Sequence, residues 1–484
     1  MITKRFLLVQ MLLITLIFGC KENEKTESRT QVKIAGKVVN ALGKPISEAV
    51  IKLKATGETA KTNENGKFVL SGNVPKGSGQ SNIDLPKFID TISVEKPGFL
   101  NYQKVITNPE ISEMIIVPAA SDLPAVQEDY IFESSPHFRS CHASTILELD
   151  NGDLLCSFFA GTKEAYPDVE IWMSRKSTGK QWTAPLSVAD GVQSDSVRVG
   201  TGNPILFKPL GEDLTLFYKV LGPGDPWKGW YKTSSDLGKT WGKPQELPDL
   251  MIGPDKNKPV QLASGTILAP SAVEDSNGWR VHVLRSTDNG KTWDKMGPIN
   301  PEAKIGAIQP TLLTYTDGRI QMLCRTRSEH GFMAQSWSDD DGLTWSPLEA
   351  LVLPNNNSGA DGVTLRDGRQ LLVYNHSTRT QEGMGHKGRG ILNVALSRDG
   401  IHWEAALILE YLDESGKQFS YPSVIQTNDG LVHILYTWHR RRIKHVVINP
   451  ERLKPVPMPE GKWPTDGPVS LEVFKKTKTN DEQL

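Results

Sequence analysis

The sequence predicts an all-β chain, a six-bladed β-propeller preceded by a small β-sandwich, and three observations carry that prediction. First, the pattern Ser-x-Asp-x-Gly-x-Thr-Trp recurs at residues 234–241, 286–293 and 338–345, and in shortened form at 397–403. A degenerate copy ends at Trp182, so the marked tryptophans fall at 182, 241, 293, 345 and 403, at steps of 59, 52, 52 and 58 residues. A period of that length suits one four-stranded sheet per repeat. Second, Tyr421 opens a further unit after the last box, which makes six. Third, helical periodicity is nearly absent after residue 120, while stretches such as 318–324 and 370–374 alternate in the manner of half-buried strands. The segment after Ala125 is expected to add a strand to the final blade.

Each box has a local physical logic. Its Asp carboxylate can accept hydrogen bonds from backbone N–H groups of its own turn, its Gly supplies a positive φ, and its Trp buries a large ring between neighbouring sheets. The repeats resemble the Asp-boxes of the sialidase-like β-propellers, over residues from about 134 to 450. That resemblance implies a sialidase-like propeller in which the boxes lie away from the active site; they define the fold and not the chemistry.

The 484 residues divide by composition. Lys4 and Arg5, an apolar run over 6–18 and then Gly19-Cys20 resemble a bacterial lipoprotein signal at 1–19, with Cys20 as the lipid-bearing residue and 20–30 as a polar tether. An uncleaved anchor or an ordinary secretory signal are the alternatives. The expectation is an exported lipoprotein at the outer membrane or cell surface, touching the membrane only through its lipid. Residues 31–118 alternate in short strands with turns at Gly43-Lys44-Pro45 and 62–66 and resemble the carboxypeptidase regulatory-like β-sandwich. With no Trp to stack on sugar, this module reads as a spacer in preference to a carbohydrate-binding unit. Residues 119–125 read as a linker and 126–470 as the propeller.

Fifty-five basic side chains against fifty-six acidic ones give a net charge of −1, which removes the electrostatic case for nucleic acid. Beyond Cys20 only Cys141, Cys156 and Cys324 remain. If the hairpin turns at 150–153, Cys141 faces a position near 162 and Cys156 one near 147, about 20 Å out of register, so no disulfide joins them. No zinc-site spacing occurs, no cofactor is implied, and a monomer is expected.

Propeller ligands bind where loops converge on the axis. The resemblance implies three arginines that clamp a substrate carboxylate, for which the planar guanidinium fork is suited. Arg139, Arg325 and Arg389 stand in matching order, Arg325 being read as the end of an inner strand. The resemblance also implies a Tyr nucleophile at Tyr421 and an acid at Asp168, with Glu164 competing for that place. Where the family carries the Glu that activates the Tyr, this chain has Gln309, which cannot accept a proton from a phenol. His142, His376, His386 and His439 lie on or beside the same loops and suit a different reaction: abstraction of the proton α to a uronate carboxylate, followed by β-elimination.

Three functions therefore stand open at this point. They are an exo-acting glycosidase of sialidase type, a lyase or dehydratase acting on a terminal uronic acid, and a glycan-binding lipoprotein without catalysis. All three take an acidic glycan as partner.

Overall fold

The computed structural model describes residues 29–39, 45–54, 57–75, 90–96, 102–106, 114–115, 124–135, 137–221, 227–248, 251–302, 304–412 and 418–464. The signal segment, Cys20, nearly all of the tether and most of the linker lie outside them. Within the N-terminal module, a three-stranded sheet (Lys67–Pro75, Arg29–Val39, Met114–Ile115) and a four-stranded sheet (Thr59–Lys61, Val50–Leu53, Asp90–Glu95, Tyr102–Ile106) are formed. Alternate residues of both sheets, among them Ile34, Val38, Ile51, Leu53, Phe68, Leu70 and Ile92, meet in one buried core.

Six antiparallel sheets follow in chain order, each with its first strand innermost. Blade I runs Ser140–Glu148, Leu154–Gly161, Glu170–Lys176, Leu186–Ala189; blade II runs Thr201–Phe207, Leu214–Leu221, Trp227–Ser234, Gln245–Glu246. Blade III comprises Val260–Gln261, Ile267–Asp275, Gly278–Ser286 and Asp294–Met296, and blade IV comprises Ala307–Thr314, Ile320–Thr326, Phe332–Ser338 and Glu349–Pro354. Blade V (Asp361–Thr364, Gln370–Tyr374, Ile391–Ser397, Trp403–Tyr411) gains Val456–Pro457 at its outer edge. Blade VI (Phe419–Gln426, Val432–Trp438, Arg442–Ile448) is completed by Ala125–Tyr130, which pairs with its third strand, as the sequence led us to expect. Among the described residues the only helical segments are three short 3₁₀ turns.

Two sequence expectations need correction. Residues 320–326 and 370–374 are buried on both faces, because each blade is covered by neighbours on either side, and so are not half-exposed. Arg325 ends the second strand of blade IV and not the inner one, which is Ala307–Thr314. The cysteine argument holds: Cys141 faces Ala160 and Cys156 faces Ile146, and all three thiols are buried and free.

The boxes act as the sequence suggested. In each of the first two, the Ser hydroxyl donates to the Asp and accepts the Gly N–H, and the Asp accepts two further backbone N–H groups and the Thr hydroxyl, at 2.6–3.1 Å. In the shortened box His402 replaces the Thr, its ring 2.6 Å from Asp399. Each Trp sits at a seam. Trp182 packs with Leu435 and Ile443 of blade VI, and Trp403 with Leu313 and Leu323 of blade IV.

Candidate functional site

The axial site is built by a backbone device repeated in four blades. In the inner strands of blades I, II, IV and VI, one extra residue interrupts the pairing with the second strand: between His142 and Thr145, Gly202 and Ile205, Ile308 and Thr311, and Ser420 and Ser423. The first residue of each bulge, Ala143, Asn203, Gln309 or Tyr421, has a positive φ of 50°, 39°, 53° or 56°. In the last three a proline follows. Bulges re-aim side chains, and non-glycine residues at positive φ cost about 1–3 kcal/mol each, a strain that concentrates at functional sites.

A cavity of about 240 Å³ opens above these bulges. Its lining includes Asn203, Gln309 and Tyr421 from the bulges, and Phe159, Lys219 and Arg325, the second-strand residues that pair beside them. Glu164 and Glu274 complete its acidic side. Burial and the nearby Asp255 carboxylate raise the Glu274 pKa.

At its centre the Tyr421 hydroxyl accepts from Arg325 Nη1 at 2.5 Å and from Gln309 Nε2 at 3.3 Å. Gln309 is fixed in that orientation because its Oε1 accepts from the same Arg325 Nη1 at 2.9 Å. Arg325 and Arg389 each place Cζ 5.8 Å from the centroid of the Tyr421 ring, and Arg325 also stacks on Trp279 at 5.1 Å. Arg389 is buried, which with the neighbouring guanidinium of Arg325 lowers its pKa to about 10, against the opposing pull of Tyr421. His142 lies against the other side, ring centroids 4.1 Å apart. It is fully buried, its Nδ1 bonds Thr437 Oγ1 at 2.9 Å and its Nε2 has no partner. Burial and the surrounding cations, Arg440 foremost, hold its pKa well below 6.5, so the imidazole is neutral.

The sequence candidates thus separate. Arg325, Arg389, Tyr421, Gln309 and His142 converge, and Glu164 lines the cavity. Arg139 is exposed before the inner strand of blade I, and no hydrogen bond or ion pair joins its guanidinium to another described residue; its backbone N–H donates to Gly161. Arg440 stands among the cations instead, paired with Glu164 at 2.9 Å and acting electrostatically on Arg389, His142 and His386. The exposed Asp168 carboxylate accepts Thr162 N–H at 2.8 Å, bracing its own loop. His386 is half-buried on the rim, where burial, Lys387 and Arg389 lower its pKa. His376 bonds Tyr374 and packs on Trp463, and His439 Nδ1 accepts Gln418 N–H while its ring meets Trp438 and Phe419, so both are engaged in packing. Among the described residues no cluster of His, Cys, Asp or Glu could hold a metal ion.

Sequence reasoning missed the floor of the site. The segment 253–258 of blade III runs into the axis: Lys219 pairs with Asp255, Asn257 donates to Gln309 O, Pro310 O and Ala360 O, and Lys258 reaches Asp361 and Ser423. Lys256, fully buried, donates to Asn257, Ala360 O and Pro422 O, and burial pulls its pKa down to about 7 although Asp361 opposes the shift. The signal was a run of charge between two prolines, Pro254 to Pro259.

Fold and site together define an Asp-box propeller with a cation-rich axial pocket. The family model for the BNR repeat-like domain matches residues 152–434, and the chain belongs to that family. It is similar to a sialidase of Micromonospora viridifaciens, 27% identical over 293 residues, which cover 56% of this chain and 42% of that protein. A sialidase of Bacteroides fragilis is 24% identical over 244 residues, covering 46% and 41%. The chain thus spans less than half the length of these two relatives. Among solved structures, a Hadza microbial sialidase superposes with a TM-score of 0.56 at 14% identity, covering 80% of this chain and 77% of that one. The NanB sialidase of Streptococcus pneumoniae superposes with a TM-score of 0.52 at 12% identity, covering 88% and 96%. These likenesses establish the sialidase propeller fold.

Proposed function

We propose that the chain is an exo-acting glycoside hydrolase of sialidase type that takes a terminal, carboxylate-bearing sugar of an acidic oligo- or polysaccharide. The observation that carries this reading is the placement of Arg325 and Arg389 on one tyrosine ring, with the Arg325 guanidinium on its hydroxyl. Permanent cations brought together on one ring repel one another unless an anion compensates them, and a sugar carboxylate is an anion of the right charge. The relatives named as sialidases support the same class.

In this reading the Tyr421 oxygen forms a bond to the anomeric carbon as the glycosidic C–O bond breaks, and a carboxyl of the blade I loop, Asp168 or a Glu164 released from Arg440 and protonated, gives its proton to the departing oxygen. Water then displaces the tyrosine. Two N–H donors on the Tyr421 oxygen stabilise negative charge developing there, a preorganised electrostatic contribution. Neither donor can remove the phenol proton. No carboxylate among the described residues hydrogen-bonds that hydroxyl, so the Tyr421 proton passes to solvent.

Incubation with sialyl-lactose and with uronate-terminated oligosaccharides, following both free sugar and ultraviolet absorbance, tests the proposal. Released sugar acid without a rise in absorbance is the expected result. An absorbing unsaturated uronate would replace hydrolysis by elimination, and binding of the acidic sugar without turnover would leave only a lectin-like surface protein.

A further inference from the structure

Three consecutive asparagines, Asn355, Asn356 and Asn357, follow the last strand of blade IV, and each makes a different tie to the arginine pair. Asn355 Oδ1 accepts the N–H of Thr326, the residue after Arg325, at 3.3 Å, and its Nδ2 fixes the turn through Ser358 O at 3.1 Å. Asn356 Nδ2 donates to the carbonyl of Gly388, the residue before Arg389, at 2.6 Å. Asn357 binds both guanidinia: its Oδ1 accepts from Arg325 Nε at 3.1 Å and Nη2 at 2.5 Å, and its main-chain oxygen accepts from Arg389 Nη2 at 2.8 Å. It does so from a left-handed conformation, φ 65°, which asparagine tolerates better than most residues and which turns both oxygens towards the cations.

We infer that Asn357 is a positioning residue that sets the spacing of Arg325 and Arg389 and, being neutral, leaves both charges for an anionic ligand. A carboxylate at this place would hold the same two N–H groups more strongly. It would also cancel one of the cations the ligand needs. The amide oxygen orients Arg325 at the Nε and Nη2 edge, while Nη1 stays turned to Gln309 and Tyr421. Specificity for an acid over a neutral sugar therefore depends on an uncharged brace. The inference rests on the reading of the arginines as an anion clamp.

Two variants separate the parts of this argument. Asn357→Gly keeps the left-handed backbone and the carbonyl to Arg389 and removes only the Oδ1 contact. Asn357→Asp keeps the shape and adds a charge. Binding of N-acetylneuraminate and glucuronate is measured by calorimetry on the full chain, beside the corresponding neutral sugars and thermal melts. Asn357→Asp should weaken binding of the acids by roughly 10-fold or more while the melting temperature stays equal or rises, the gain of an ionised acceptor. Asn357→Gly should weaken it less and raise KM more than it lowers kcat. Unchanged acid binding in Asn357→Asp, or losses that merely track thermal destabilisation, would overturn the assignment to Asn357 alone. Failure of the unaltered protein to bind either acid would overturn the clamp reading and the brace with it.

Discussion

The Asp-box turns and the axial bulges are both repeated devices, yet they repeat different things. In the boxes the side chains recur with the backbone, and Ser, Asp and Gly make the same hydrogen bonds in blade after blade. At the bulges only the backbone recurs. The same extra residue and the same positive φ carry Ala143, Asn203, Gln309 and Tyr421 in turn. Where one side chain is needed everywhere it is doing the same structural job everywhere. Where one conformation recurs in four blades and in three of them presents a different side chain to one cavity, the fold is aiming chemistry, and it sustains strain at each position to do so.

The largest expected effect tests the bulge side of this contrast. Tyr421→Phe removes the oxygen that Arg325 and Gln309 hold and should lower kcat by ~10²- to 10⁴-fold, the range for loss of a reacting or proton-transferring group. The melting temperature should change little, since the ring and its contacts with His142 remain. Turnover retained in this variant would remove Tyr421 from the mechanism and shift the chemistry to His142. Gln309→Glu comes next. It places a proton acceptor beside the phenol, and in a hydrolase it should raise kcat by about 10²-fold, with an acid limb in the pH profile that the unaltered protein lacks. A flat response of hydrolysis to this change is what the elimination reading expects.

How much of this was legible in the sequence follows the same division. Ser, Asp, Gly and Trp at fixed spacing are a sequence signal because the identities repeat, so blade number, closure by the segment after Ala125 and the Trp seams were readable in advance. Tyr421, Gln309, Arg325 and Arg389 were reachable only by resemblance to a family. A physical signal was present in Asn203-Pro204, Gln309-Pro310 and Tyr421-Pro422, each in phase with the boxes, but an X-Pro pair alone does not report a positive φ. Arg139 was placed by order along the chain. The cation that acts on Arg389 and His142 from this side is Arg440, whose left-handed backbone (φ 61°) at the turn between the second and third strands of blade VI nothing in a run of three arginines announces. Asp168, and Glu164 competing with it, could be read only as loop carboxylates; in the structure Asp168 accepts the Thr162 N–H and Glu164 lines the cavity. Asn357 carried no chemical signal of its own, because its role is fixed by two partners 32 residues away on either side.

The smallest effect belongs to the box side. Asp288→Ala should leave kcat and KM unchanged and lower stability by about 1 kcal/mol, because the hydrogen bonds to this carboxylate are charge-assisted but lie in solvent, where screening reduces their worth. The pH dependence identifies the cause. The Thr292 hydroxyl and backbone N–H are the main donors that hold the Asp288 carboxyl down to about 2 in the folded protein, below its ordinary 3.8. A carboxylate whose folded pKa is depressed contributes its stability in full above the unfolded value and loses it as pH falls through the folded one. The melting-temperature gap between Asp288→Ala and the unaltered protein should therefore be constant from pH 8 to about 5, shrink below about 4 and nearly close near 2. Asp399, where burial raises the pKa but the His402 ring and the backbone N–H groups together outweigh it and hold the carboxyl at about 2, should behave alike in its own alanine variant. A gap that persists undiminished at pH 2 would mean the box stabilises through packing of the turn and not through its carboxylate, and a fall in kcat in either variant would end the separation of box from bulge.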